Sequence, residues 1–181
     1  MQDDADLVRL VIRGDHPSYD ELIRRWSGRV YGYICRRVRD KHIAEDLTQD
    51  AFIRGFKGLH SLEEPSRFGS WLLAIAHRAV VDWARKRSNN ELVGSDIYND
   101  PPAQLASASA TEQRLEDLRE VLMDLPEQSR EILNVYYFQQ MTYEDAAAVL
   151  GVSVATVNVR LAKAREQLRK RVVLRQEEHF R

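Results

Sequence analysis

The sequence predicts an all-α protein: two small helical domains joined by a flexible linker, the C-terminal one carrying a helix-turn-helix. Three observations lead there. Apolar residues recur at helical spacing over most of the 181 residues, and only 8 Gly and 5 Pro interrupt them. That periodicity fails from Ser88 to Ala110, where Ser, Asn, Asp and Pro101-Pro102 gather. Near the C-terminus, Thr142, Gly151 and Ser153 stand where a cap, a stop and a second cap would frame two short helices on a tight turn.

Taken in order, a short helix is expected from Asp3 to Arg13, burying Leu7, Leu10 and Val11 and stopping at Gly14. Pro17 and Ser18 open a longer helix to about Arg39. Its core stripe is Tyr19, Leu22, Ile23, Trp26, Val30, Tyr33 and Ile34. Cys35, the only cysteine, falls in this pattern as a small core residue; it excludes a disulfide framework and a multi-cysteine zinc site. After Asp40-Lys-His42, the run from Ile43 to Gly58 turns Leu47, Ala51 and Phe52 inward and leaves Asp46, Gln49 and Asp50 exposed together. Such a face is either solvated or a docking patch for a basic or polar partner.

The polar loop from His60 to Arg67 leads into a helix from Phe68 to Arg87. Leu72, Ile75, Ala76, Ala79 and Trp83 form its inner face, and Ser70, Ala74, His77, Arg78, Val81 and Arg85 face outward. Cations and aromatics beside a polar loop suit unstacked bases, which use stacking and phosphate contacts together. Trp71 reads equally as part of that surface or as a core residue at the helix entry. Beyond the linker, helices resume at Thr111 with Leu115, Leu118, Val121 and Leu122. A second begins at Pro126, with Ile132, Leu133, Val135, Tyr136 and Phe138 turned toward the pair that follows.

That pair carries the sharpest functional signal. Thr142 caps its first helix with Asp145 as partner, and Ser153 caps its second, which runs to about Arg171 with Val172 to Arg181 extending it. At about 100° per residue, Val157, Leu161, Ala164 and Leu168 share one narrow face. Ala155, Val159, Ala162, Lys163 and Glu166 point the opposite way, with Arg160 and Arg165 on the flanks. An apolar back, a slim outward face and flanking guanidinium groups suit a helix lying in the major groove. A helical hairpin with a solvated basic face would show the same spacing.

Totals narrow the partners. The net charge is −1, so nucleic-acid binding would rest on segregated charge. Basic residues gather at Arg78 to Arg87 and from Arg160 to Arg175, and acids at Glu45 to Asp50, Glu91 to Asp100 and Glu112 to Glu131. The acidic N-terminus lacks the parts of a signal peptide, and no apolar run approaches membrane-spanning length, so a cytoplasmic protein without membrane insertion is expected.

Together these segments resemble the sigma-70 family, specifically the extracytoplasmic-function (ECF) type of bacterial RNA polymerase sigma factor. The resemblance rests on Ala44-Glu-Asp-Leu-Thr-Gln-Asp-Ala-Phe52, on Phe68-Gly-Ser-Trp-Leu-Leu-Ala-Ile-Ala76, on Leu125-Pro-Glu-Gln-Ser-Arg-Glu-Ile-Leu133, and on the stretches from Tyr143 to Ala147 and from Gly151 to Arg165. It implies a region 2-like domain over residues 1–88, a linker over 89–110 and a region 4-like domain over 111–181. It also implies a core polymerase docked by Asp46, Gln49 and Asp50. The melted minus-ten strand would meet Arg67, Trp71, His77, Arg78 and Arg85, with a flipped base held at the loop. The minus-thirty-five duplex would meet Ala155, Thr156, Asn158, Val159, Arg160, Lys163 and Arg165. An anti-sigma factor is a further expected partner, and no cofactor or metal is expected.

Three positions depart from the family pattern. Arg78 stands where many relatives carry Asn, and a guanidinium lacks the amide's mixed donor and acceptor pattern. Val159 offers a thymine methyl contact but no hydrogen bond, and Lys163 lacks the bidentate fork of the Arg often found there. The target sequence is therefore not transferred from the family. Two other classes compete. A conventional helix-turn-helix regulator would share residues 125–171, but the first half shows no strand-helix receiver pattern. An enzyme is disfavoured by five scattered histidines without ligand spacing and by the lack of a phosphate-cradling Gly loop.

Overall fold

The computed structural model describes residues 2–38, 40–90, 118 and 120–179, and no β-strand occurs among them. The chain divides into two compact units. In the first, α1 (Asp4–Ile12) is capped by Asp3, whose carboxylate accepts from the Asp6 N–H at 2.7 Å. Ala5, Leu7, Val8 and Val11 are buried; Leu10, expected in the core, is only half-buried. Gly14, at φ 99°, ends the turn. Next, α2 (Pro17–Cys35) buries Tyr19, Leu22, Val30, Tyr33 and Ile34 and stops short of the expected Arg39. Cys35 is half-buried rather than core.

The helix α3 (Lys41–Gly58) is capped by Asp40, which accepts from the N–H groups of His42 and Ile43 at 2.9 and 3.2 Å. Two 3-10 turns, Leu59–Ser61 and Pro65–Arg67, connect it to α4 (Phe68–Asn90). Three ties fix where α4 starts. Asp4 accepts from Arg25 Nη1 at 2.9 Å and from Trp26 Nε1 at 2.8 Å, locking the indole in place. The Trp26 ring then lies on Gly69, where an added Cβ would come within 1.9 Å of it. Phe68 and the anchors Leu59 and Leu62 are buried beneath the loop.

The second unit includes α5 (Glu127–Leu133), preceded by Pro126 at the cap position rather than inside the first turn. Its last turn widens into a π-helix over Asn134–Phe138, closed by Gln139 N–H on the Asn134 carbonyl at 3.1 Å. Then come α6 (Tyr143–Leu150) and α7 (Val154–His179). Ile132, Leu133, Val135, Val157, Leu161 and Ala164 form the core, with α5 packed along α7 and Ser129 Oγ donating to Gln167 Oε1 at 2.6 Å. Phe138 and Leu118, expected inside, are exposed. The linker expected over 89–110 falls from residue 91 on outside the described residues, as do Thr111 and Leu115, whereas α4 itself runs on to Asn90. No single described helix is long and apolar enough to cross a membrane.

Candidate nucleic-acid and polymerase interfaces

The pair α6 and α7 forms the helix-turn-helix the capping residues predict. Thr142 Oγ1 accepts the Asp145 N–H at 3.1 Å and donates to the Asp145 carboxylate at 2.8 Å. Gly151 turns the chain at φ 63°. Ser153 Oγ accepts the Thr156 N–H at 3.1 Å, and α6 and α7 meet at a bend of 98°. Along α7, Val157, Leu161 and Ala164 are fully buried and Leu168 is half-buried. On the other side Ala155, Asn158, Ala162 and Lys163 are exposed, and Val159 is 70% exposed. Thr156 is half-buried, with its hydroxyl 2.8 Å from that of Ser153. Arg160 lies half-buried on one flank. Arg165, on the other, donates from Nε to Tyr137 Oη at 2.8 Å.

In the first unit, the face of α3 carries Asp46 and Gln49 exposed and Asp50 half-exposed, the last paired with Arg54 at 2.6 Å. Ile53, one turn on, is 52% exposed and continues the same stripe. Sequence reasoning did not name Ile53, although the same spacing of about 100° per residue places it between Gln49 and Asp50. At the start of α4, Arg67 pairs with Glu64 at 2.7 Å in the 3-10 turn. Trp71 is half-buried: its ring lies against the side of α3, where an added Cβ at Gly58 would meet it at 3.4 Å.

The outward face expected for α4 needs correction at two places. Ala74 is buried, and His77 turns inward: its Nδ1 lies 3.0 Å from Tyr33 Oη and 2.9 Å from Arg37 Nη1. Arg37 is itself buried, donates to Tyr33 Oη at 2.6 Å and lies over the Tyr33 ring. Tyr33 on α2 and Arg37 just past its end thus draw the imidazole across, which a helical wheel for α4 alone does not reveal. The ridge left outside is Arg78, whose Nε donates to the Ala74 carbonyl at 3.2 Å, then Val81, and Arg85 beside Asp82. Trp83 is half-buried under the Arg87 guanidinium at 5.6 Å. No group of three or more His, Cys, Asp or Glu is placed to hold a metal among the described residues.

A four-helix unit with an acid-and-amide face, followed by a unit ending in a helix-turn-helix, finds its counterparts among known proteins. The family descriptions "Sigma-70 region 2" and "Sigma-70, region 4" match residues 22–90 and 115–168. The chain is 31% identical over 169 residues to RNA polymerase sigma factor YlaC of Bacillus subtilis, covering 89% of this chain and 95% of that one. It is 34% identical over 157 residues to ECF RNA polymerase sigma factor SigE of Mycolicibacterium smegmatis, covering 84% of this chain and 61% of that one. In fold it resembles CnrH, solved in complex with the cytosolic domain of CnrY, at a TM-score of 0.67 and 21% identity, covering 94% of this chain and 97% of that one. It also resembles the sigma factor RpoE of Bartonella quintana, solved with the anti-sigma factor NepR, at 0.66 and 24%, covering 85% and 96%. The chain belongs to the sigma-70 family of RNA polymerase sigma factors, and within it to the ECF type.

Proposed function

We propose that the two units divide promoter recognition between them, residues 1–88 serving the polymerase and the melted minus-ten strand and residues 111–181 the minus-thirty-five duplex, with 89–110 as the connection. The observation that carries this reading is the sorting of α7: three fully buried apolar residues on one side and Ala155, Asn158, Val159 and Lys163 exposed on the other, after a bend of 98°. Such a helix presents short side chains to a groove without steric conflict, while Arg160 and Arg165 reach phosphates on either edge. Val159 meets a thymine methyl, and Asn158 and Lys163 supply the hydrogen bonds.

In the first unit, Asp46, Gln49 and Asp50, together with Ile53, form the surface that docks core RNA polymerase. Arg67, Trp71, Arg78 and Arg85 line the path of the melted strand, Trp71 through stacking and the arginines through phosphates. His77 serves that surface from behind, holding α4 against α2. The role is one of binding rather than catalysis: every contact invoked is a hydrogen bond, a stack or a charge pair. It is exercised in the cytoplasm, where core polymerase and promoter DNA are met. Relatives of this fold solved with a cytosolic partner domain or an anti-sigma factor support an inhibitor of that kind as a further partner.

Lys163→Ala and Arg160→Ala should each weaken binding to duplex DNA, measured by fluorescence anisotropy. The slope of affinity against salt should become shallower by about one ion wherever a phosphate is the partner. Unchanged binding in both variants would place the recognition helix elsewhere.

A further inference from the structure

The Arg165 side chain is exposed, yet its position is fixed from behind. Its guanidinium lies 5.6 Å from the Tyr136 ring centroid and 5.5 Å from that of Tyr137, and Nε donates to Tyr137 Oη at 2.8 Å. The two rings meet edge to face at 5.0 Å and 90°, so they form a corner; Tyr143 closes against Tyr136 at 5.2 Å. Hydrogen bonding to Tyr137, and to a lesser degree to Tyr143, holds the guanidinium firmly in its charged form.

The neighbours of Arg165 on the same helix are treated differently. Arg169 pairs with Glu166 at 2.7 Å and Lys170 with the same carboxylate at 3.5 Å. Among the described residues no carboxylate within salt-bridge distance of Arg165 occurs. Phenols and ring faces restrict a cation without neutralising it, so its full charge remains available to an anion. The corner exists because of the π-helix. Widening the last turn of α5 over Asn134–Phe138 leaves Tyr137 51% exposed beside α7, where a regular helix would carry the aromatic run round toward the core.

We propose that Tyr137, backed by Tyr136 and Tyr143, is a positioning residue for promoter binding: it pre-sets Arg165 as a phosphate contact at the edge of the groove that α7 enters. The proposal rests on the reading of α7 as the duplex-binding helix. A phosphate is the partner chemistry because Arg165 stands on the flank, about 70° from the buried stripe at 100° per residue. The outward face is centred on Ala155, Val159 and Ala162, which hydrogen-bond nothing through their side chains. Affinity then falls to the flanking cations, and a guanidinium already held in place loses less rotamer freedom when the phosphate arrives.

The test is anisotropy of the full chain on a labelled duplex of mixed sequence over a range of salt concentrations, since phosphate contacts do not depend on sequence. Arg165→Ala should make the salt slope shallower by about one. Tyr137→Phe keeps the ring and should leave the slope unchanged while weakening binding about three-fold, as should Arg165→Lys, which keeps the charge but loses the fork. Tyr137→Phe placed on top of Arg165→Ala should do nothing more. An unchanged affinity in Tyr137→Phe, or an equal loss in the Arg165→Ala background, would overturn the positioning role. Lys163→Ala serves as the control. If it weakens binding while Arg165→Ala and Tyr137→Phe do not, the clamp alone falls. If all three bind normally, the reading of α7 falls with it.

Discussion

Gly69 and Gly28 show how one residue type is held by opposite needs. At Gly69 the Trp26 ring occupies the space of a side chain, and an added Cβ would lie 1.9 Å from it. Gly69→Ala should therefore lower stability by about 2 kcal/mol, the usual cost of overpacking, in thermal unfolding of the whole chain. Gly28, inside α2 and exposed, would meet nothing within 4 Å. There Gly28→Ala should raise stability by about 0.5–1 kcal/mol, because only the helix propensity changes. Equal effects at the two sites would mean that Trp26 does not press on α4. Thr142, Gly151 and Ser153 were readable from sequence because capping and left-handed turns are local chemistry. Gln140, which adopts φ 53° without being Gly, was not, since nothing local distinguishes it from an ordinary helix-end residue.

Helix α2 carries the clearest electrostatic prediction. Glu21 accepts from Arg24 at 2.6 and 2.8 Å and from Arg25 at 2.7 Å. Arg24 first, then Arg25, hold its carboxyl at about 2 instead of the ordinary 4.5. A carboxyl depressed by folding stabilises above its unfolded value, and that contribution is lost as pH falls from 4.5 toward 2. Melting temperatures of the wild-type chain and Glu21→Gln should thus differ near neutral pH and converge over that acid window. The difference should also shrink in high salt, since the pair is on the surface. A constant gap at all pH values would show that the carboxylate is not responsible. Elements as such were legible: α1 to α4 follow from apolar spacing and caps, although α2 stops at Cys35 instead of about Arg39 and α4 runs past Arg87 to Asn90. What sequence reading lost were the places where a second element decides orientation. His77 is turned inward by Tyr33 of α2 and by Arg37 just beyond that helix, and the π-helix at Asn134–Phe138 carries Phe138 outward. Neither is written in the periodicity of its own helix.

For the whole chain, the arrangement of two helical units was readable because its signals are long and repeated. The exposed faces of single helices were readable only in outline. A helical wheel finds Asp46, Gln49, Asp50 and Ile53 on one side of α3, but it cannot tell that Ile53 is left 52% exposed or that Asp50 already pairs with Arg54. Those two facts shape how docking should respond to change. Asp50 would lose a surface pair worth little in solvent on turning to a partner, while covering the exposed half of Ile53 would add about 1 kcal/mol. The measurement that bears most directly on the account is gel-filtration co-elution of the full chain with bacterial core RNA polymerase in the absence of DNA. The chain should co-elute as a stable complex, and the double variant Gln49→Ala with Asp50→Ala should keep its helical signal yet elute apart from the polymerase. If that variant still assembles as the wild type does, the docking surface is not the exposed face of α3.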